Sequence, residues 1–475
     1  MRIGDPAIVT AFALYLVAML GIGAWAWRRT RDLADYLLGG RRLGRWVTAL
    51  SAEASDMSGW LLLGLPGYAY AAGLEAGWIA LGLLAGTWLN WRLLAARLRK
   101  ATAAHGALTL PEFLAARLGG GRALRVVAAA FILLFFTLYT ASGLAAGGKL
   151  FESVFGLPYA QAVLAGCLVV VAYTLAGGFL AVSWTDVVQG LLMLAALIAA
   201  PLVAIGAQGG WEATLAAVAA RDPALLDPLS RGGEPLGAVA LLSLLAWGLG
   251  YFGQPHILAR FMAVRDAAEL VPARRIAVGW VALTLGGAVL VGLAGIGYLD
   301  PPLGGADTEK VFLRLVQAVF HPFVAGVLLA AVLAAIMSTA DSQLLVAASA
   351  LTEDLYRGLV RPRAGERELV WMGRATVAGV AGVATAFALD PDSRVLDMVA
   401  YAWAGFGATF GPVLLLAVWW PRLTRAGALA GMVAGGLTVI VWKHLEGGWL
   451  DLYELAPGFA AGLAAAALAS LAGRR

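Results

Sequence analysis

Runs of about 20 apolar residues alternate with short polar connections from Pro6 to the C-terminus, and no long polar interval separates them. A helix lets such a run cross hydrocarbon, because every backbone N–H and C=O then finds its partner within the segment. The spacing predicts thirteen spans, near 6–27, 46–72, 76–98, 123–147, 158–180, 184–207, 236–259, 274–299, 319–350, 371–389, 394–419, 426–442 and 452–471. Two of them are interrupted at mid-depth. Ser51 to Trp60, S-A-E-A-S-D-M-S-G-W, sets two carboxylates and three serines between apolar flanks, which a membrane tolerates only where the segment faces a protein-lined cavity. Trp247 to His256, W-G-L-G-Y-F-G-Q-P-H, carries three glycines and a proline that do not fit one continuous helix. Any one of these glycines, taken alone, is as well explained by close helix packing. Because the two breaks lie five spans apart, the pattern predicts inverted five-helix repeats at 45–207 and 235–420, each opening with a broken helix. One helix precedes them and two follow at 421–475, in a single polytopic domain over 1–475. No internal sequence identity accompanies the spacing.

Composition makes this an all-α integral membrane protein: 61% of its 475 residues are hydrophobic and 13% charged, against about 25% charged in soluble domains. The net charge of +5 does not point to nucleic acid, because the basic residues sit in connections, where membrane orientation accounts for them. Of the 34 lysines and arginines, 26 fall on one side of the predicted spans, from Arg28, Arg29, Arg31, Arg41, Arg42 and Arg45 through Arg260 and Arg265 to Arg474 and Arg475. Arg2, Lys149, Arg221, Arg231, Lys310, Arg314, Arg394 and Lys443 fall on the other. The positive-inside rule then places the N-terminus outside and the C-terminus in the cytoplasm, and the clean alternation supports the span count itself. The first run is too long for a signal-peptide core and is expected to be retained as a helix. A single cysteine, Cys167, and four scattered histidines form neither a disulfide nor a metal cluster. An enzyme is not expected, since no nucleophile–base pair or phosphate loop is present.

A third polar cluster, Ala334 to Ser342, A-A-I-M-S-T-A-D-S, lies in the span at 319–350. A Ser or Thr hydroxyl in a helix lies against the carbonyl four residues earlier, which brings together Thr339 and the Ala335 carbonyl, with Ser338 beside them. The break in span 46–72 frees carbonyls of its own, those of Ala54 and Met57 flanking a kink at Asp56. Together these are five oxygens of the kind that hold sodium, neutral enough to release it, where a carboxylate cage favours calcium or magnesium. The plainer alternative has each hydroxyl satisfied by its own helix. Asp56 reads both as the cap of the second half-helix, accepting from the amides of Ser58 or Gly59, and as a charge near the ion. Asp341 and Ser342 share a helical face with Ser338. Asp186 reads equally as a helix-terminal carboxylate near the cytoplasmic surface or as part of a second cation site with Ser338, Asp341 and Ser342.

These stretches, with N-W-R-L-L-A-A-R-L-R at Asn90, A-L-T-L-P-E-F at Ala107, G-G-F-L-A-V-S-W-T-D at Gly177 and A-L-T-E-D-L-Y at Ala350, resemble the sodium:solute symporter family over nearly the whole chain. The resemblance implies a LeuT-like core of ten helices and the coupled uptake of sodium and L-proline across a bacterial-type inner membrane. Other small amino acids, a betaine, or solute sensing without transport are the alternatives. It also implies a sodium site at Ala54, Met57, Ala335, Ser338 and Thr339 with Asp56 nearby, a role for Arg41 on the cytoplasmic side, and solute binding by Ser58, Gly59, Trp60, Tyr139, Trp247, Tyr251 and Pro255. Trp60, Trp247, Tyr251 and Pro255 would wall the solute's ring, although any one aromatic serves equally as packing. Two residues depart from the pattern, Glu53 and Asp341, where relatives carry small, neutral or uncharged side chains.

Overall fold

The computed structural model describes residues 4–27, 35, 38–176 and 178–473. Arg2, Arg28, Arg29, Arg31, Gly177, Arg474 and Arg475, used above for orientation and motif, lie outside the described residues. Among the described residues, ten helices are long and apolar enough to cross a membrane, or eleven when the bent pair Ala238–Gly253 and Pro255–Ala263 counts as one span. Their burial inside the protein is uneven. The apolar window of Pro322–Val360 is 83% buried inside the protein and that of Val395–Trp419 78%, whereas Pro6–Trp25 is 28% buried and presents side chains such as Leu14 and Val17 outward. Outward apolar surface of that kind is what lipid solvates.

Both interrupted spans are broken. The helix Arg45–Asp56 stops where Met57 adopts φ −80°, ψ 77°, and the chain resumes helically at Trp60–Gly64, a π-type turn that runs into Leu65–Ala72. The carbonyl of Asp56, released by the break, accepts from the Ser58 amide (2.9 Å), the Tyr139 hydroxyl (3.2 Å) and the Trp60 indole (3.3 Å), so that carbonyl is not stranded. In the other span, the tight turn Trp247–Gly253 ends at Gln254 (φ −81°, ψ 106°), and Pro255 takes the first position of Pro255–Ala263, where its missing N–H costs nothing. The two arms meet at 47°. Here the freed carbonyls of Gly250 and Trp247 accept from the Gln254 amide (3.1 Å) and the Trp403 indole (2.8 Å). Gly250 is obligatory, since a Cβ there would stand 1.9 Å from Trp403 Nε1.

The two broken spans are stitched at one end. The Leu43 amide donates to the Ala263 carbonyl (3.2 Å) and the Arg265 amide to the Leu43 carbonyl (3.0 Å). Arg41, the one described non-glycine residue at positive φ (55°), donates to the carbonyls of Ala107 (2.6 Å), Met262 (3.3 Å) and Thr102 (3.3 Å). Carbonyls at a helix C-terminus lack intrahelical donors, and Arg41 supplies one.

Two charges read as belonging to connections are in fact inside the protein. Lys149 is buried in Arg122–Phe155 and pairs at 2.5 Å with Glu309, whose carboxylate also accepts the amides of Val395 (2.9 Å) and Leu396 (3.1 Å) at the start of Val395–Trp419. Arg260 lies within Pro255–Ala263 and is 1% exposed. Counting charges along the chain cannot tell a loop arginine from one that a distant carboxylate draws into the core.

Candidate functional site

The break at Met57–Gly59 and the middle of Pro322–Ser349 meet at the protein centre. Ser338 Oγ donates to the Ala54 carbonyl at 2.7 Å and lies 3.1 Å from the Ala335 carbonyl, so the oxygens of Ala54, Ala335 and Ser338 converge on one point between the two elements. The local pairing differs from the sequence expectation: Ser338, not Thr339, bonds Ala335, and Thr339 Oγ1 is buried with no hydrogen-bond partner. An oxygen left so at 2% residue exposure is free to turn toward an ion. Met57 is fully buried beside the break.

Asp56 corrects a second expectation. It is the last residue of the first half-helix, not the cap of the second. Its Oδ2 accepts from the Tyr251 hydroxyl at 2.8 Å, Oδ1 has no partner, and no side chain caps the helix that starts at Trp60. Tyr251 thereby ties one broken span to the other. The reason is the shortness of the break: one non-helical turn leaves the Ser58 amide bonded to the Asp56 carbonyl, and the carboxylate points away from the new helix.

Of the residues matched to solute binding, Ser58, Trp60, Tyr139, Trp247 and Tyr251 gather around the two breaks. The rings of Trp60 and Trp247 are 6.4 Å apart, Trp247 stacks on Tyr453 at 5.4 Å, and Tyr251 meets Trp403 edge-on at 4.9 Å. Ser58 Oγ is buried and unpartnered. Gly59 sits close against Ala146 of Arg122–Phe155. Pro255 is turned elsewhere, lining a cavity with Ile132, Ala259, Arg260, Leu345 and Asp354. That cavity shares Leu108, Thr109 and Asp354 with a second of about 380 Å³, walled by Glu112, Arg125, Glu353 and Arg357. Trp247 also lines a third, with Tyr68, Glu309, Arg394 and Asp397.

The residues of the second cation expectation also converge, around a side chain that sequence reasoning had assigned to a loop. Arg260 donates to Asp186 Oδ2 (3.1 Å), Ser51 Oγ (3.1 Å), Ser342 Oγ (2.6 Å) and the His256 carbonyl (2.9 Å). Ser51 in turn donates to Asp186 at 2.6 Å, and Ser342 donates to the Ser338 carbonyl at 2.8 Å, with Asp341 Oδ1 at 3.2 Å. Asp186 is fully buried and is no surface carboxylate. One Asp186 oxygen, one Asp341 oxygen and the Gln189 carbonyl oxygen remain unpartnered, and Gln189 donates to Tyr15 at 2.9 Å. Gln189 and Tyr15 escaped the sequence reading, although Gln189 lies one turn past Asp186. Glu53 is 1% exposed and accepts from the Trp91 indole at 2.9 Å.

Comparison with known proteins gives one consistent picture. A model of the sodium:solute symporter family matches residues 36–435. The chain is 52% identical over 481 residues to the sodium/proline symporter of Salmonella typhimurium and equally to that of Escherichia coli, covering 100% of this chain and 94% of each relative. Among solved structures, it superposes on a Na+-coupled sialic acid symporter, in a substrate-bound outward-open state, with TM-score 0.80 over 98% of both chains at 18% identity, which establishes a shared fold.

Proposed function

Because the chain belongs to the sodium:solute symporter family, we propose that it carries L-proline into the cell together with sodium by alternating access. The observation that carries the reading is Ser338 Oγ joining the carbonyls of Ala54 and Ala335 across the break. Sodium, as co-transported cargo, binds at the oxygens of Ala54, Met57, Ala335, Ser338 and Thr339 and braces Pro322–Ser349 against the broken span. Its charge then favours the proline carboxylate, which also meets the positive end of a half-helix, while Trp60, Trp247 and Tyr251 wall the ring and Ser58, Gly59 and Tyr139 line the polar side. Pro255, facing the cavity beside Arg260, belongs to the release path instead. Asp186, Ser338, Asp341 and Ser342 form a second cation locus in which Arg260 is a built-in competitor.

The finer topology follows the same reading. Thirteen crossings result when Tyr159–Ala176 is counted and Trp60–Ala104 is divided between two spans, with five-helix repeats at 45–207 and 235–420 and two helices after them. The N-terminus is then outside and the C-terminus cytoplasmic. One charge crossing about 100 mV supplies about 2.3 kcal/mol, roughly fiftyfold accumulation before any sodium gradient. Proteoliposomes holding the purified protein should concentrate labelled proline only under an inward sodium gradient. Equal uptake with potassium in place of sodium, or no accumulation at all, defeats the proposal.

A further inference from the structure

The connection between the last two helices, Arg425–Trp442 and Leu455–Ala472, reaches one of the residues that wall the proposed solute site. Tyr453, two residues before the final helix, stacks its ring on Trp247 at 5.4 Å with the planes 27° apart. Three hydrogen bonds hold it there. Its amide donates to Ser243 Oγ at 2.9 Å, its hydroxyl donates to the Ala400 carbonyl at 2.6 Å, and the carbonyl of its neighbour Leu452 accepts from the Trp442 indole at 3.0 Å. Ser243 lies one helical turn before Trp247 within Ala238–Gly253. Ala400 lies three residues before Trp403 on Val395–Trp419, and the Trp403 indole donates to the Trp247 carbonyl at 2.8 Å. Tyr453 is thus bonded both to the helix that carries Trp247 and to the helix that holds its backbone.

The Trp247 ring depends on this support. The indoles of Trp60, Trp91 and Trp403 are each oriented by a hydrogen bond, to Asp56, Glu53 and Trp247, whereas the described contacts of the Trp247 indole are with the rings of Trp60 and Tyr453. Aromatic pairs keep a preferred offset and separation, so a ring that is fixed in place fixes the plane of its partner. Beneath Trp247 the backbone has no slack: a Cβ on Gly407 would stand 2.7 Å from both Gly250 Cα and Leu455 Cδ1. A cavity of about 190 Å³ borders the indole, space into which an unsupported ring could turn. Rotation of the indole is therefore the freedom that Tyr453 removes.

We propose that Tyr453 is a positioning residue for the solute wall: it fixes the plane of Trp247 and so sets how large a ring the site accepts. The inference rests on the proposed function, in which Trp247 walls the proline ring. A rigid apolar pocket discriminates one methylene by about 10–200-fold, and a wall free to retreat gives up part of that factor.

The test is sodium-driven uptake of labelled proline into proteoliposomes holding the full chain, with competition by L-piperidine-2-carboxylate, whose ring is one methylene larger. Wild type, Tyr453→Leu and Tyr453→Phe are compared. Tyr453→Leu should raise KM for proline about fivefold with maximal uptake within about twofold, and should narrow the preference for proline over the larger ring at least about threefold. Tyr453→Phe, which keeps the stacked ring and the bond to Ser243, should stay within about twofold of wild type in both. A Tyr453→Leu protein that loses maximal uptake but keeps KM and the ring preference has lost a structural support only, and overturns the proposal. Tyr453→Phe falling as far as Tyr453→Leu overturns it too, because the stacked ring then does not set the wall. Tyr453→Met, close in volume to the lost ring, carries the same expectations if Tyr453→Leu fails to fold. If wild type takes up no proline under a sodium gradient, the proposed function fails and this inference falls with it; wild-type uptake with an unchanged ring preference in Tyr453→Leu defeats this inference alone.

Discussion

Replacing Arg260 with methionine tests how the centre is held together. The side chain makes four hydrogen bonds, to Asp186, Ser51, Ser342 and the His256 carbonyl, and with them joins three elements to its own half-helix. Side-chain hydrogen bonds inside membrane proteins average about 0.6 kcal/mol each, so losing those from Arg260 to Ser51, Ser342 and the His256 carbonyl amounts to about 2 kcal/mol. Leaving Asp186 buried without its counter-charge costs more, about 3–5 kcal/mol. The charge therefore dominates. Asp186→Asn strands the guanidinium instead and should cost a similar amount, whereas the double variant Arg260→Met/Asp186→Asn leaves no bare charge and should lose only about 2 kcal/mol. Equilibrium denaturation in mixed micelles without sodium measures all four proteins. If the two single losses simply add in the double variant, the pair is not coupled and the account of the centre fails. Sodium supplies a second readout. With Arg260 gone, Asp186 and Asp341 are left to the ion, so sodium at about a hundredfold its dissociation constant should restore up to about 2.7 kcal/mol to Arg260→Met and far less to wild type.

Other expectations concern transport and packing. Ser338→Ala removes the hydroxyl that spans Ala54 and Ala335, and the sodium concentration for half-maximal proline uptake should rise about tenfold with maximal uptake less affected, read from initial rates against sodium. Trp247→Ala deletes the ring between Trp60 and Tyr453, so KM for proline should rise by about tenfold or more while sodium binding without proline stays within twofold. Gly250→Ala drives a methyl group into the Trp403 indole and should lower stability by about 1–3 kcal/mol, measured by the same denaturation. Asp341→Asn should change sodium stoichiometry or the pH profile of uptake in proteoliposomes, and a profile identical to wild type removes Asp341 from the second cation locus.

Much of the architecture was legible because it depends on local rules. A membrane-spanning helix must satisfy its own backbone, so an apolar run of sufficient length announces a helix, and polar or helix-breaking residues inside one announce a break. Hence both interruptions, at Met57–Gly59 and at Gln254, lie within the stretches marked by composition. The carbonyls of Ala54 and Ala335 and the hydroxyl of Ser338 were legible for the same reason: helix spacing and the freed carbonyls of a break are properties of short segments.

What a side chain pairs with is not such a property. Arg260 read as one more positive charge at the end of a span, because its partner Asp186 is 74 residues away and only the fold brings them to 3.1 Å. Lys149 misled in the same way, its partner Glu309 being 160 residues distant. The Asp56 carboxylate was expected on the next helix's amides, a local partner, and instead took a tyrosine from the other broken span. Glu53 had no interpretation until the Trp91 indole, 38 residues away, appeared as its hydrogen-bond donor. The sequence by itself determined that the chain is a helical membrane protein and where two of its helices break, since backbone hydrogen bonding in lipid leaves few choices. Only the tertiary structure decided which charges are buried and with whom, because desolvating a charge is tolerable only when a specific partner, often far along the chain, is delivered to it.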